Sequence, residues 1–283
     1  MDNPERYVLS LSCPDGPGIV HAVTGAIASL AGNITESQQF GAADTGKFFM
    51  RVELEAQAPE QALRDALTPV AERFGMAWNL DHAGRPMRTI VMVSKAEHCL
   101  GDLLYRERAG TLPIEIVAVV GNHTTLASLA EFYGKRFVHL PVTADTKAHA
   151  ETALLAMVEE LEAELVVLAR YMQILSPTLS EALRGRAINI HHSFLPSFKG
   201  ARPYLQAHDR GVKLIGATAH YVTSDLDEGP IIEQDVERVD HADTPEMLSA
   251  IGADVERRAL ARAVRWHAEH RVLLDGHRTI VFN

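Results

Sequence analysis

The chain has 283 residues, 47% of them hydrophobic and 23% charged, with a net charge of −10. This fits a globular protein of about two domains and argues against nucleic-acid binding as the main role, because phosphate recognition needs clustered Lys and Arg. No apolar run reaches the ~18 residues of a spanning helix, no basic-then-apolar leader opens the chain, and Cys13 and Cys99 are the only cysteines, so neither a membrane role nor a disulfide framework is expected and a cytoplasmic setting is.

Residues 7–13 read as a strand that runs into the turn Pro14-Asp15-Gly16-Pro17-Gly18. Ile19, Val20, Val23, Ile27 and Leu30 then recur at helical spacing, and Gly32-Asn33 stops that helix. Residues 33–40 and 47–54 read as two strands around the turn at 41–46. A second helix opens at Pro59 and carries Ala62, Leu63, Ala66, Leu67 and Val70 on one side; a last strand covers 76–80. The order β-α-β-β-α-β is the split arrangement of ferredoxin-like domains. On Cys13-Pro14-Asp15-Gly16-Pro17-Gly18-Ile19-Val20 and Gly32-Asn33-Ile34 this part resembles an ACT domain. The resemblance implies a dimer-forming regulatory module with an amino-acid effector, glycine or methionine, held by Asp15, Gly16, Pro17, Gly18, Asn33 and Ile34. Backbone N–H groups at a glycine-rich helix start suit such a carboxylate.

Gly84 and Pro86 mark a short junction, so the first domain is set at 1–84 and the second at 85–283. The second domain alternates strands (89–93, 114–120, 136–140, 165–169, 187–191) with helical segments, clearest at 147–163, where Ala150, Ala153, Leu154, Met157, Val158 and Leu161 form one stripe. That pattern predicts an α/β fold with a mostly parallel, Rossmann-like sheet and helices on both faces. Ligands in such folds bind beyond the carboxyl ends of the strands. The turn at 94–99 contains neither G-x-G-x-x-G nor a P-loop, so a phosphate cradle is not expected there.

The most informative stretch is 188–200. Asn189 and His191, two apart on a strand, should share a face, with His192 on the other. A carboxamide beside an imidazole suits carbonyl chemistry. Ser193 reads as a turn former, since no nucleophile elbow surrounds it. A short helix over 201–210, strands at 214–222 and 231–239, an acidic loop between them and a long helix from Thr244-Pro245-Glu246 to about Glu269 complete the domain, followed by a short tail. Neither a calcium-loop pattern nor H-E-x-x-H occurs, and no metal is expected.

Taken together, Asn189-x-His191-x-Ser193-x-Leu195-Pro196, Gly216-x-Thr218-x-His220 and Asp227-Glu228-Gly229-Pro230-Ile231-Ile232 resemble the folate-dependent formyltransferase superfamily. With the ACT-like part, the chain resembles the formyltetrahydrofolate deformylases from Tyr7 to the C-terminus. The resemblance implies Asn189, His191 and Asp227 as the catalytic trio. It also implies Met172, Gln173, Ile174, Leu175, His220 and Val222 at the folate, with 10-formyltetrahydrofolate as substrate and no permanently bound cofactor. The expected reaction is release of formate, which would balance one-carbon pools for purine synthesis, in a homo-oligomer paired through ACT domains. Two alternatives stand beside it: formyl transfer to an amine, as in glycinamide ribonucleotide formyltransferase, and a non-catalytic amino-acid-sensing protein. The residues leave open whether Asp227 is a base or orients His191, and whether His220 joins a proton relay.

Overall fold

The computed structural model describes residues 4–193 and 203–283. The motif residues Leu195 and Pro196, and the start of the helix expected from 201, lie outside them. The chain divides into two compact units. One takes residues up to Arg85 with Glu269–Asp275 and Ile280–Asn283; the other takes Pro86–Ala268 with Gly276–Thr279.

In the first unit β1 (Glu5–Pro14), α1 (Ile19–Ser29), β2 (Asn33–Ala42), β3 (Lys47–Ala56), α2 (Glu60–Phe74) and β4 (Ala77–His82) follow one another as the sequence predicts. They build a four-stranded sheet in the order β2-β3-β1-β4. Side chains on a strand alternate between faces, so Tyr7, Leu9, Leu11 and Cys13 of β1 all meet Ile19, Val23 and Ile27 of α1 and Leu63 and Leu67 of α2. Strand β3 is buried on both faces. Met50, Val52 and Leu54 join the helix-side core, while Phe49 packs in a separate cluster with Ala42, Phe282, Leu273 and Ile280.

That second cluster corrects the division at residue 84. Most of the C-terminal tail belongs to the first unit, because it covers a sheet face that the helices leave open. The tail is ordered as a hairpin, β12 (Val272–Asp275) and β13 (Arg278–Val281). Its turn holds Asp275-Gly276, with Gly276 at φ 63, a left-handed backbone suited to glycine. Arg51 of β3, only 1% exposed, anchors the approach to this hairpin. Its guanidinium donates to the Glu269 carbonyl at 3.1 and 3.0 Å, to Glu53 at 2.6 Å and to Glu36 at 3.3 Å.

The second unit comprises β5 (Met87–Val93), α3 (His98–Arg108), β6 (Ile114–Gly121), α4 (Ala127–Phe132), β7 (Phe137–His139), α5 (Lys147–Glu160), β8 (Leu165–Leu168), α6 (Pro177–Ala182), β9 (Ala187–His191), α7 (Pro203–Asp209), β10 (Leu214–Tyr221), β11 (Ile231–Arg238) and α8 (Pro245–Ala268). The seven strands lie in the order β11-β10-β9-β8-β5-β6-β7. Pairing is parallel from β7 through β9, and β10 is antiparallel to both β9 and β11. Ile90, Val91 and Val93 of β5 and Leu165 and Val167 of β8 are essentially inaccessible. Strands covered on both faces read as such continuous apolar runs. The chain order reverses between β5 and β8, so the loops after them diverge and leave a crevice at the carboxyl ends. Among the described residues, no helix is long and apolar enough to cross a membrane.

Replacing Arg51 with Ala leaves the Glu269 carbonyl without the Arg51 donor and takes one of two arginines from Glu36, which keeps Arg271, and from Glu53, which keeps Arg6. Glu36 and Glu53 also keep contact with water, 32% and 18% exposed, so a loss of about 2 kcal/mol is expected, the scale of lost hydrogen bonds to a charged group. Urea unfolding followed by circular dichroism measures it, and an unchanged midpoint would remove Arg51 from this role.

Candidate active site

A cleft of about 880 Å³ opens at the crevice, within the usual range for a small-molecule site. One side is apolar. Met172 and Ile174 on the loop after β8, each 59% exposed, and Leu226 on the loop after β10, 60% exposed, all line it. Apolar side chains left this open in a concave wall mark a surface for a flat, partly apolar ligand. The loop after β8 is pinned across the crevice, because the Met172 backbone N–H donates to Ser94 Oγ at 3.0 Å. Ser94, directly after β5, thus positions the opposite loop.

The polar side of the cleft is built on β9 and β10. Asn189 and His191 share a face of β9, and in the antiparallel register Asn189 lies opposite His220 and His191 opposite Thr218. The loop between β10 and β11 folds back to bring Asp227 to them. Asp227 Oδ1 is 3.2 Å from His191 Nδ1 and 3.8 Å from His220 Nε2. Asp227 itself sits at φ 58, in the left-handed region. Two residues on, a Cβ at Gly229 would lie 1.7 Å from the Tyr221 carbonyl oxygen. The loop closes that tightly only with glycine there.

The tautomers follow from the partners. The His191 Nδ1–H donates to the Asp227 carboxylate, which leaves Nε2 with its lone pair, 2.8 Å from Ser193 Oγ. Ser193 is in turn fixed by Thr218 Oγ1 donating to its carbonyl at 3.1 Å. His220, 3% exposed, has Nδ1 at 2.9 Å from the Tyr221 carbonyl. A carbonyl only accepts, so Nδ1 carries the proton and neutral Nε2 accepts from Asn189 Nδ2 at 3.2 Å. The amide of Asn189 is thereby oriented, with its NH2 group directed by His220. Hydrogen bonding from His191, and from His220 when that ring is charged, outweighs burial and holds the Asp227 carboxyl well below the usual carboxylate range.

The structure thus gathers Asn189, His191, Asp227, Met172, Gln173, Ile174, Leu175, His220 and Val222 along one cleft. Asp15, Gly16, Pro17 and Gly18 lie in the first unit, in the β1–α1 connection, where Gly18 has φ 91 before α1. Asn33 and Ile34 begin β2 of the same unit. His192 departs from the sequence reading. Strand β9 ends at His191, so the alternation stops, and His192 stacks on His191 with ring centroids 4.9 Å apart and lines the same cleft. Burial first, then Arg170 and His191, lower its pKa to about 4, so it is neutral at physiological pH.

Arg170 and His277 also line the cleft and were not foreseen. Arg170 carried a usable signal, being a charge placed directly after a buried strand. His277 follows the Asp275-Gly276 turn in a tail that showed no functional pattern. Among the described residues His98, Cys99 and Glu256 bring metal-capable atoms within 4.8 Å of one another. Glu256 is already engaged there by His98, Tyr204 and Arg170, and burial pushes the Cys99 thiol up.

Comparison with known proteins gives the geometry its context. The formyl transferase family profile matches residues 87–264 and the ACT domain profile residues 7–72. A formyltetrahydrofolate deformylase of Corynebacterium sp. (strain P-1) is 53% identical, covering 99% of this chain and 99% of that protein. The crystal structure of a formyltetrahydrofolate deformylase from Burkholderia mallei superposes with a TM-score of 0.96 at 53% identity, over 99% of this chain and 100% of that one. Glycinamide ribonucleotide transformylase 1 of Symbiobacterium toebii matches with a TM-score of 0.66 at 30% identity, over 72% of this chain and 98% of its own. Likeness at this level over nearly the whole length, with both domain profiles present, makes the chain a member of the formyltetrahydrofolate deformylase family.

Proposed function

We propose that the protein hydrolyses 10-formyltetrahydrofolate to formate and tetrahydrofolate, with Asn189, His191 and Asp227 as the groups that carry the reaction. The observation that supports this most is the convergence of one carboxylate, one imidazole whose Nε2 lone pair meets the Ser193 hydroxyl, and one oriented amide beside an apolar wall. The pteridine rings lie against Met172, Ile174, Leu175 and Val222, with Gln173 and nearby backbone groups reading their edge.

The chemistry needs a nucleophile, a place for negative charge and a proton for the leaving nitrogen. His191 Nε2 takes a proton from water as its oxygen bonds to the formyl carbon. Charge that builds on the carbonyl oxygen is met by the Asn189 amide N–H. When the bond from carbon to N10 breaks, the imidazolium returns its proton to that nitrogen and formate leaves. Asp227 is a poor base because its pKa is depressed. Its part is to hold the His191 tautomer and stabilise the imidazolium. His220 acts on Asn189 and is a positioning residue in this scheme.

The first unit, an ACT domain, fits a module that senses an amino acid, glycine or methionine, and pairs with a second copy. A hydrolase that consumes a shared one-carbon donor gains from such control, and the formate it releases would serve purine synthesis in the cytoplasm.

Purified protein given 10-formyltetrahydrofolate without any amine should release tetrahydrofolate and formate in equal amounts, and glycine or methionine added to the same assay should change the rate. A requirement for an amine acceptor would overturn hydrolysis as the activity. Asn189→Ala should lower kcat by ~10²–10³, the usual loss for one oxyanion donor, and His191→Ala and Asp227→Asn should lower it at least as much with folding intact. Full activity in any of these variants would displace that residue.

His220→Ala should lower kcat with little change in KM, because the Asn189 amide loses its orientation. Combined with Asn189→Ala it should add almost nothing, the signature of two groups acting as one. Additive losses in that double-mutant cycle would give His220 a separate role.

A further inference from the structure

His192 has no part in the steps above, yet it touches the ring that carries them. Consecutive residues of a strand point to opposite faces. Strand β9 ends at His191, however, and the chain turns there so that the two imidazoles stack, with centroids 4.9 Å apart and planes 23° from parallel. Both rings belong to residues that line the cleft. The residue after them is held in two ways: Thr218 Oγ1 donates to the Ser193 carbonyl at 3.1 Å, and Ser193 Oγ meets His191 Nε2 at 2.8 Å. Asp227 Oδ1 lies 3.2 Å from the other ring nitrogen of His191. Both edge nitrogens of that ring are thus engaged, and His192 covers a face of it.

Hydrogen bonds at two edge atoms direct a ring but leave it free to tilt about the line between them. A flat neighbour against its face removes that freedom, and stacked rings at this separation attract. The neighbour must also suit the charge that His191 gains in the proposed mechanism. A neutral aromatic face attracts a cation, whereas a second imidazolium would repel it. Among the described residues, the charged groups that bear on His192 are Arg170 after β8, His191 of β9, Glu256 of α8 and Asp227 of the loop after β10. Burial is the largest influence, and with Arg170 and His191 it outweighs the two carboxylates. His192 therefore stays neutral over the range in which an ordinary histidine titrates, with a pKa of about 4.

We propose that His192 is a positioning residue for His191: its flat ring, stacked on the His191 imidazole, fixes the plane of that ring and offers a π face to the charge it gains. The inference rests on the deformylase reading, in which His191 takes a proton from water and returns it to N10. No bond to His192 forms or breaks. Its contribution is made when the His191 ring carries charge, so it acts on the rate of reaction and not on the binding of folate.

The test uses the deformylation assay with full-length protein. His192→Leu, which keeps bulk without a π face, should lower kcat roughly tenfold, the scale of a partly desolvated cation–π contact, with KM little changed. His192→Phe and His192→Tyr, which keep a flat aromatic face, should retain most of the activity. With circular dichroism matching wild type, a Leu variant as active as Phe, or Phe and Tyr variants as impaired as Leu, would overturn the proposal. A second measurement does not depend on activity. In wild type carrying histidine labelled at its ring nitrogens, the His192 signal is the one that His192→Phe removes from the NMR spectrum. It should stay neutral from about pH 8 to about pH 5.5, and its titration near the ordinary histidine value of about 6.5 would also overturn the proposal. Wild type that releases no formate at all would instead overturn the deformylase reading.

Discussion

The contact between Asp227 Oδ1 and His191 Nδ1, 3.2 Å long, is the interaction on which the polar side of the cleft depends. An imidazole has two nitrogens, and its use in proton transfer depends on which carries the proton. By taking the Nδ1 proton as its own hydrogen bond, the carboxylate fixes the lone pair on Nε2, on the ring edge away from the loop. Because hydrogen bonding holds Asp227 well below the carboxylate range, it stays anionic when, in the proposed mechanism, the ring gains charge. The same property that makes it a weak base makes it a good counter-ion.

Everything around that contact serves to hold it in register. Strand β9 supplies Asn189 and His191 on one face, and β10, running antiparallel, sets His220 directly opposite Asn189. A parallel neighbour would stagger the pairs differently, so the reversal of β10 within a mostly parallel sheet has a local consequence at the site. The returning loop closes through Gly229, where the Tyr221 carbonyl leaves no space for a side chain. That same carbonyl takes the Nδ1 proton of His220. One backbone group thus sets both the path of the Asp227 loop and the tautomer that orients Asn189.

Much of this was legible in the sequence because it is local. Alternation within 187–191 places Asn189 and His191 together, and the Asp15–Gly18 turn and two helical stripes outline the first unit. The relation of Asp227 to His191 was legible only through the resemblance, since nothing local joins residues on separate loops. The reading of His192 shows where local rules stop: alternation holds only while the strand lasts, and β9 ends at His191. The tail is a second case. Asp275-Gly276 between Val272-Leu273-Leu274 and Thr279-Ile280-Val281 is a hairpin signal, but its packing partner, the Phe49 face of β3, lies more than two hundred residues away in sequence. Burial of β3 on both faces was the sign that something distant covers it.

Asp227, which lines the cleft, and Glu256, which does not, illustrate how burial sorts similar groups into different surroundings. Asp227, 26% exposed, pairs with a ring that gains and loses a proton in the proposed mechanism, and it keeps contact with water. Glu256, 2% exposed, is locked by a hydroxyl, an imidazole and a guanidinium from three different elements. A charge so buried is stable only while every partner stays. It therefore suits holding a residue in place rather than moving protons. In the proposed mechanism Asp227 thus serves a ring that changes charge, whereas Glu256 belongs to a buried network whose charges stay fixed.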